Sequence, residues 1–422
     1  MAASTLTLPS CRSKSRPETR ALAVIRILLA AFALRVGIRV AFGQDYFWKN
    51  GYSDYYALAQ NLVAGKGLCF ETACAWFPPL YPLFLALTSL GGKHYLLIVI
   101  PQAIMGAGTA LCAYLIGKEL FNPRAGLIAC GMVALYPYYA MHDTALQETG
   151  MLTFCTAVSV YLLLRAARSG AGADWFFAGL SLGAVVLIRA SLAPFIVLAL
   201  AWAACFGLQK VSTVFLALCL TVSPWLIRNY QLTGALVLSS QTGRALWIGN
   251  NPDTFSHYPG ESIDLSTATA WANLTAQERA EEEGLSGNEI QMSDWYARRG
   301  LAFMKAHPSL TMLRACRKLW AGFSWTLNPA RERFVQAIYF VSYVPVAGLG
   351  LVGMLLANRR REVVLIGMLF LSFVCVTAVF WAHTSHRSYL DVYWMVFAAS
   401  VIERSWTFWR GGSVKHRSTE VL

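Results

Sequence analysis

Seven side chains that could carry acid–base or phosphate chemistry stand at the ends of apolar segments, where a membrane protein meets water. A carboxylate in such a place could take the proton of an acceptor hydroxyl, which is general-base catalysis. Arginines there could hold a phosphate through paired hydrogen bonds and stabilise its charge as it leaves. The candidate catalytic residues are Asp54, Asp45 and Glu148, and the candidate substrate-binding residues are Asp143, Arg189, His386 and Arg387.

Most of these residues also have an ordinary structural explanation. Asp54 begins an apparent amphipathic helix, where a carboxylate commonly caps the helix or faces the positive end of its dipole. The same role is open to Glu148 at the start of the apolar run 149–168. Arg189 could extend from the end of a span toward the lipid headgroups. Spacing alone does not choose between these roles.

The elements that must position these residues are transmembrane helices. The chain has 422 residues, of which 56% are hydrophobic and 14% are charged, whereas about a quarter of the residues of a soluble domain are charged. Several apolar runs have about the 17–25 residues that cross a bilayer. The composition therefore predicts an all-α polytopic membrane protein. Its net charge of +13 fits basic cytoplasmic loops, and no basic-aromatic motif indicates nucleic-acid binding.

The distribution of charge predicts the topology. Acidic residues concentrate between residues 230 and 308, which we place outside the cytoplasm. The apolar run 79–91 is too short to cross a bilayer and contains Pro79 and Pro82, so we expect a re-entrant or interfacial helix. About ten transmembrane helices and two cytoplasmic termini follow. The basic segments predicted to be cytoplasmic are 1–20, 117–126, 165–172, 208–210, 358–362 and 405–422.

This topology divides the chain into five parts. We call residues 43–94 the first outer loop, 142–148 the second outer loop and 230–330 the outer region. The predicted parts are a cytoplasmic tail (1–20), a transmembrane catalytic module containing the first outer loop (21–229), the outer region (230–330), C-terminal transmembrane helices (331–404) and a second cytoplasmic tail (405–422).

Three local patterns add further expectations. Arg35 and Arg39, four residues apart in the first span, share one helix face and point into the protein or toward the outer interface. Cys69 and Cys74 lie five residues apart in the first outer loop, where a disulfide is possible but not decided by the sequence. Residues 310–327 have basic and apolar faces, which indicates an interfacial helix.

Four segments resemble the polytopic C-type glycosyltransferases, which include protein O-mannosyltransferases, lipid A aminoarabinose transferases and rhizobial galacturonosyltransferases. "SDYYALAQNLVAGKGL" followed by "FPPLYPLFLAL" is similar to their first outer loop, and "TALQETGMLTF" to their second. "SPWLIRNYQLTGALVLSSQTGRALWIGNNP" resembles the segment leading into their outer domain. "HRSYLDVYWMVFAA" resembles a diverged form of a late motif.

The resemblance implies inverting transfer of a sugar from a polyprenyl-phosphate donor to an acceptor hydroxyl on the outer face of the inner membrane. The acceptor would be a glycan, a lipid or a protein. Asp54 matches the family's first-loop acid, with Asp45 as its rival because the register varies. Arg189 matches an arginine at the outer end of the fifth span. Arg387 matches the first basic residue of the late motif, whose second basic residue and proline are missing here.

Other readings remain open at this point. A secondary transporter or lipid flippase is the alternative function, although no internal repeat of broken helices is evident. No cofactor is certain. A divalent cation is possible if Asp54 approaches Asp143 or Glu148, because carboxylate oxygens suit hard cations.

Overall fold

The computed structural model describes residues 16–357 and 361–417, and this part of the chain is helical without strands. The long helices of the membrane half are α1 (Arg16–Lys49), α4 (Tyr95–Leu120), α7 (Thr149–Ser169), α10 (Leu208–Thr233), α16 (Arg333–Leu356), α17 (Arg361–Val379) and α18 (Thr384–Arg417). Its shorter helices are α2 (Ser53–Val63), α3 (Leu80–Ser89), α5 (Pro123–Leu135), α6 (Pro137–His142), α8 (Gly172–Ile188) and α9 (Ala193–Ala204). The outer region contains α11 (Thr242–Gly249), α12 (Thr267–Ala272), α13 (Ala276–Gly284), α14 (Glu289–Ala306) and α15 (Pro308–Phe323).

The predicted all-α membrane fold is confirmed. Six described helices are long and apolar enough to cross a membrane, and four further apolar helices are shorter. Each of the ten apolar runs expected to cross overlaps a helix, and the run 125–141 is divided between α5 and α6. The ten runs are 21–42, 95–117, 125–141, 149–168, 174–190, 191–208, 211–229, 334–357, 363–381 and 388–404. The number of crossings itself stays a prediction. The tails and the basic cluster at 358–362 lie partly outside the described residues.

The helix expected not to cross is short. α3 has 10 residues, which at about 1.5 Å per residue extend only about half of a 30 Å hydrocarbon core. It begins directly after Pro79 and ends at Ser89. The next residue, Leu90, caps the helix with a left-handed φ of 49°. This length agrees with a re-entrant or interfacial helix.

Segments predicted to be cytoplasmic meet at one end of the helix bundle. Arg168 pairs with Glu119 at 2.8 Å, and the Nζ of Lys210 donates to the carbonyl of Gly170 at 2.6 Å. Three of the basic loops are therefore neighbours, as the charge pattern requires.

The outer region has a small core of its own. Its buried residues form a cluster separate from the membrane core and comprise Trp247, Ala270, Leu274, Trp295 and Tyr296. The predicted interfacial helix corresponds to α15, which exposes apolar side chains such as Met312 and Leu313. The five-part division remains a prediction, although this separate core supports an outer region between α10 and α16.

A buried ion pair joins the first helix to the second outer loop. The Arg35 side chain is fully buried, and its Nε lies 2.8 Å from Oδ2 of Asp143. The same guanidinium donates to the carbonyls of Ala31 at 3.1 Å and Ala134 at 3.0 Å. Both arginines of α1 thus point into the protein, since Arg39 donates to the carbonyl of Met141 at 2.7 Å. Burial raises the pKa of Asp143, and the positive charge of Arg35 opposes this.

Gly106 of α4 leaves the space that this ion pair occupies. A Cβ at this position would lie 2.6 Å from Oδ2 of Asp143 and 2.7 Å from Cδ of Arg35. Real Cβ atoms do not approach so closely, so a side chain here must push the buried pair apart.

We predict that Gly106→Ala lowers the free energy of unfolding by about 3–5 kcal/mol, because separating a buried pair leaves two uncompensated charges. Thermal unfolding in detergent measures this change. The control is Gly131→Ala, where a Cβ meets nothing within 4 Å and the better helix propensity of alanine contributes up to about 1 kcal/mol. Equal stability of the two variants would contradict the prediction.

Cys69 and Cys74 form a disulfide in the first outer loop, which resolves what the sequence left open. Arg228 of α10 holds the bridged loop by donating to the carbonyls of Cys74 at 2.8 Å and Leu68 at 3.1 Å. The disulfide therefore closes this loop on itself, and Arg228 holds the loop against α10.

We predict that the denatured, unreduced protein takes up two fewer alkyl groups than the reduced protein, of the ten that its cysteines allow. Intact-mass spectrometry after alkylation in denaturant measures the difference. Peptide mapping should place both extra labels on Cys69 and Cys74. Identical labelling with and without reductant would show that the bridge is absent.

Candidate functional site

Glu148 and Arg189 form an ion pair at the predicted outer end of the bundle. The Nη2 of Arg189 lies 2.6 Å from Oε1 of Glu148, and the side chains are 15% and 10% exposed. Glu148 immediately precedes α7 but makes no side-chain capping bond to it. Its carboxylate therefore pairs with Arg189 and does not cap the helix.

A break between α8 and α9 places Arg189 in this position. Arg189 has extended backbone angles, φ −146° and ψ 111°, and a 3-10 turn follows at Ala190–Leu192. Pro194 lies in the first turn of α9, and its ring would clash with the carbonyl of residue 190 in a continuous helix. The interruption directs the arginine toward the start of α7.

Two buried tyrosines lie near the ion pair. The rings of Tyr55 in α2 and Tyr81 in α3 lie 5.2 Å apart, edge to face. Burial, followed by the negative charge of Glu148, raises the pKa of both phenols well above its ordinary value. Both hydroxyls therefore stay protonated and can donate hydrogen bonds. Gln102 of α4 donates to the hydroxyl of Tyr81 at 3.3 Å.

The first outer loop is docked directly on the second. The backbone N–H of Tyr52 donates to the carbonyl of Leu146 at 2.9 Å. Gly51 allows this approach, because a Cβ at that position would overlap the side chain of Leu146. This contact fixes the start of α2 beside Glu148.

Two histidines around the start of α18 and one acidic residue of the outer region also lie near the pair. The rings of His383 and His386 stack with their centroids 4.2 Å apart. Burial lowers the pKa of His383 to about 4, while the negative charge of Asp264 opposes this. His383 is therefore neutral near pH 7. The charges of Glu148, Arg189 and Asp264 all act on it, so one acidic residue of the outer region lies near the site.

Asp143 and Arg387, which were also predicted to bind substrate, form ion pairs within the protein. Asp143 holds Arg35 at a second buried position. Arg387 is buried, and its Nε lies 3.1 Å from Oδ1 of Asp391. Its other nitrogens donate to the hydroxyl of Tyr339 at 2.5 Å and to the carbonyl of Gly322 at 3.2 Å. In this structure Arg387 joins α18 to its neighbours.

The two candidate aspartates of the first outer loop are both exposed. Asp54 lies in the first turn of α2, next to Tyr55, and its negative charge favours the protonated form of Arg244 in the outer region. Asp45 follows Gly43, whose φ of 76° interrupts α1. Neither carboxylate forms an ion pair or hydrogen bond with another side chain in the described part of the chain.

Sequence reasoning missed several residues of this site. His383 stands three residues before His386, a helical spacing that could have indicated a shared face. Tyr55 adjoins Asp54 and could have been considered with it. Asp264 and Arg244 come from the outer region, where no pattern distinguishes them from other surface charges.

The carboxylates named as a possible divalent-cation site are bound to arginines or exposed. Asp143 and Glu148 each engage a different arginine, and Asp54 is exposed. Among the described residues, no cluster of three or more histidine, cysteine, aspartate or glutamate side chains is placed to hold a metal ion.

Comparison with known proteins supports the fold that the resemblance predicted. Residues 77–227 match the family model described as dolichyl-phosphate-mannose-protein mannosyltransferase. The matching segment contains Glu148 and Arg189 but neither Asp45 nor Asp54. Over 74 residues the chain is 31% identical to the dolichyl-diphosphooligosaccharide–protein glycosyltransferase subunit STT3B of Oryza sativa subsp. japonica, covering 17% of this chain and 10% of that protein.

Solved structures match nearly the whole chain. The archaeal oligosaccharyltransferase AglB from Archaeoglobus fulgidus, in complex with an inhibitory peptide and a dolichol-phosphate, aligns with a TM-score of 0.53, 14% identity and 94% coverage of this chain. The apo form of the Archaeoglobus fulgidus oligosaccharyltransferase gives 0.54, 15% and 95%. The chain spans 52% of each of these structures, or about half their length. The protein has the C-type glycosyltransferase fold.

We predict that Glu148→Gln and Arg189→Gln each lower the free energy of unfolding by about 3 kcal/mol, because each leaves a largely buried charge unpaired. The double variant should lose much less than the sum, since neither charge remains. The matched control is the exposed pair Arg168 and Glu119, where the same changes should cost under about 1 kcal/mol. Similar losses at both pairs, measured by unfolding in detergent, would argue against a buried Glu148–Arg189 interaction.

Proposed function

We propose that the protein is a membrane glycosyltransferase that moves a sugar from a polyprenyl-phosphate donor to an acceptor hydroxyl. The Glu148–Arg189 pair carries this proposal, because it is a largely buried ion pair within the segment that matches the mannosyltransferase family. The charge pattern supports an inner-membrane protein with both termini in the cytoplasm and the reaction on the outer face. The acceptor would be a glycan, a lipid or a protein.

Arg189 is suited to bind the donor phosphate. Its Nη2 donates to Glu148, while Nε and Nη1 have no hydrogen-bond partner among the described residues. Glu148 thus orients the guanidinium and leaves the N–H groups of two nitrogens for phosphate oxygens. Tyr55 and neutral His383 can add hydrogen bonds. The solved AglB complex contains a dolichol-phosphate, which supports a polyprenyl-phosphate ligand for this fold.

Asp54 is the base that we assign. In the proposed step the acceptor O–H gives its proton to the Asp54 carboxylate, and the oxygen attacks the anomeric carbon of the sugar. The bond from that carbon to the phosphate oxygen breaks on the opposite face, and the phosphate keeps the electron pair. Arg189 stabilises the charge on the departing polyprenyl phosphate. Attack from the opposite face inverts the anomeric centre.

The rival carboxylates are less well placed for this role. Glu148 is held by Arg189 at 2.6 Å, so its carboxylate is already engaged and is not free to approach an acceptor hydroxyl. Asp45 lies beyond the interruption at Gly43, whereas Asp54 adjoins Tyr55 beside the ion pair. A transporter or flippase remains the alternative function, and it would move the lipid without breaking the sugar–phosphate bond.

We predict that Asp54→Asn lowers transfer by about 10²–10⁴-fold, as removal of a general base does, with an unchanged melting temperature. The assay incubates purified protein with envelope lipids and glycans from a deletion strain, and mass spectrometry quantifies the product that the wild type restores. Asp45→Asn is the matched control and should transfer normally.

Two results would revise this assignment. If Asp45→Asn loses transfer and Asp54→Asn does not, then Asp45 is the base. If the wild type forms no glycosylated product and only relocates the lipid between leaflets of a vesicle, then the transferase proposal fails and the transporter alternative stands.

A further inference from the structure

A cavity of about 360 Å³ lies between the first outer loop and the outer region. The loop contributes Thr72 and Trp76, and the outer region contributes Arg244, Trp271, Glu283 and Asn288. Its volume falls within the range of small-molecule sites, about 300–1,000 Å³. Two separate parts of the chain thus form one recess, outside the Glu148–Arg189 site.

Arg244 is held between two tryptophan rings in this recess. Its guanidinium carbon lies 4.5 Å from the centre of the Trp271 ring and 5.4 Å from that of Trp76. The Nε of Arg244 is buried and has no hydrogen-bond partner among the described residues. The terminal nitrogens of Arg244 also form no hydrogen bond in the described part of the chain, and they are not among the buried atoms. These donors favour a ligand that supplies an acceptor.

The walls of the cavity are fixed before any ligand arrives. Glu289 accepts hydrogen bonds from the backbone N–H groups of Cys74 at 2.9 Å and Ala75 at 3.0 Å, and from the hydroxyl of Ser240 at 2.7 Å. The disulfide of Cys69 and Cys74 closes the same loop. A preorganised site binds more tightly because less freedom is lost.

The lining suits a saccharide. Sugar hydroxyls both donate and accept hydrogen bonds, which matches a guanidinium beside carboxylates and an amide. The C–H faces of sugar rings pack against the electron-rich faces of tryptophan rings. Glu282, Glu283 and Glu289 outnumber the single Arg244. This excess of negative charge repels phosphorylated or acidic sugars and favours neutral or amine-bearing ones.

The cavity is also close to the assigned base. Burial lowers the pKa of Arg244, and the negative charges of Glu282 and Asp54 oppose this. Asp54 therefore lies within electrostatic reach of the guanidinium that lines the cavity.

We infer that this cavity binds the acceptor as a neutral or amine-bearing saccharide, which the guanidinium of Arg244 holds. The identification of this saccharide as the acceptor rests on the proposed transferase function, whereas the binding of a saccharide does not. Trp76 and Trp271 offer ring surfaces next to Arg244, and Arg244 binds the sugar through its guanidinium.

The test is calorimetric titration of the purified full-length protein in detergent, without any lipid donor. The probes are a trimer of glucosamine, its N-acetylated counterpart and a serine- and threonine-containing decapeptide. We expect the glucosamine trimer to bind most tightly. Trp76→Ala and Arg244→Gln should each weaken binding by about tenfold or more, the effect of losing one charged hydrogen bond or ring contact.

Matched controls separate this effect from general loss of structure. Trp320→Ala removes a tryptophan that is 53% exposed on α15, and Arg298→Gln removes an exposed arginine of α14; both should bind like the wild type. Trp76→Tyr and Arg244→Lys, which retain a ring and a charge, should recover part of the affinity. Their melting temperatures verify folding.

The outcomes discriminate between the two proposals. Binding of the decapeptide but neither trimer, or of no probe at all, would overturn the saccharide inference, as would equal weakening by the control variants. Saccharide binding with normal transfer by Asp54→Asn would uphold the cavity and refute the assigned base. Loss of transfer in Asp54→Asn without saccharide binding would uphold the transferase and refute the cavity.

Discussion

A fully buried arginine in the first membrane helix sets the constraint on which the outer face depends. Arg35 requires a counter-charge in a low-dielectric interior, and Asp143 supplies it at 2.8 Å. Arg39 adds a bond to the carbonyl of Met141, so α1 holds the beginning of the second outer loop. Glu148 follows only five residues later, so these contacts also help to fix its position beside Arg189. The first outer loop then docks on the same segment through Leu146.

The outer face is assembled as two neighbouring environments with different chemistry. Around Glu148 and Arg189, buried tyrosines and a neutral histidine provide hydrogen-bond donors that suit an anionic group. Around Arg244, tryptophans and carboxylates provide surfaces that suit a neutral or amine-bearing ring. Asp54 lies on the helix that carries Tyr55, and its negative charge acts on Arg244. The proposed group transfer requires that donor and acceptor meet at one carboxylate.

The candidate residues illustrate how far sequence reasoning reached. Glu148 and Arg189 lie next to helix ends, and their proximity follows from two adjacent antiparallel helices whose ends meet at one face. Asp143 and Arg387 looked equivalent to them in the sequence, since each also stands near the end of an apolar run. The structure shows that both are buried against opposite charges within the protein, which no spacing along the chain reveals. A titratable residue near a span end can face a ligand or a neighbouring helix, and only packing decides which.

The sequence by itself determined the all-α membrane class, the short helix after Pro79 and the grouping of basic loops at one end, because hydrophobic length, proline and charge act locally along the chain. The tertiary structure alone decided that Arg35 pairs with Asp143, that the two cysteines of the first loop are bridged, and that Arg244 meets Trp76 and Trp271. These contacts join residues far apart in the chain or depend on the conformation of a loop. Their partners are selected by distance in space, for which the pattern of residues along the chain carries no signal.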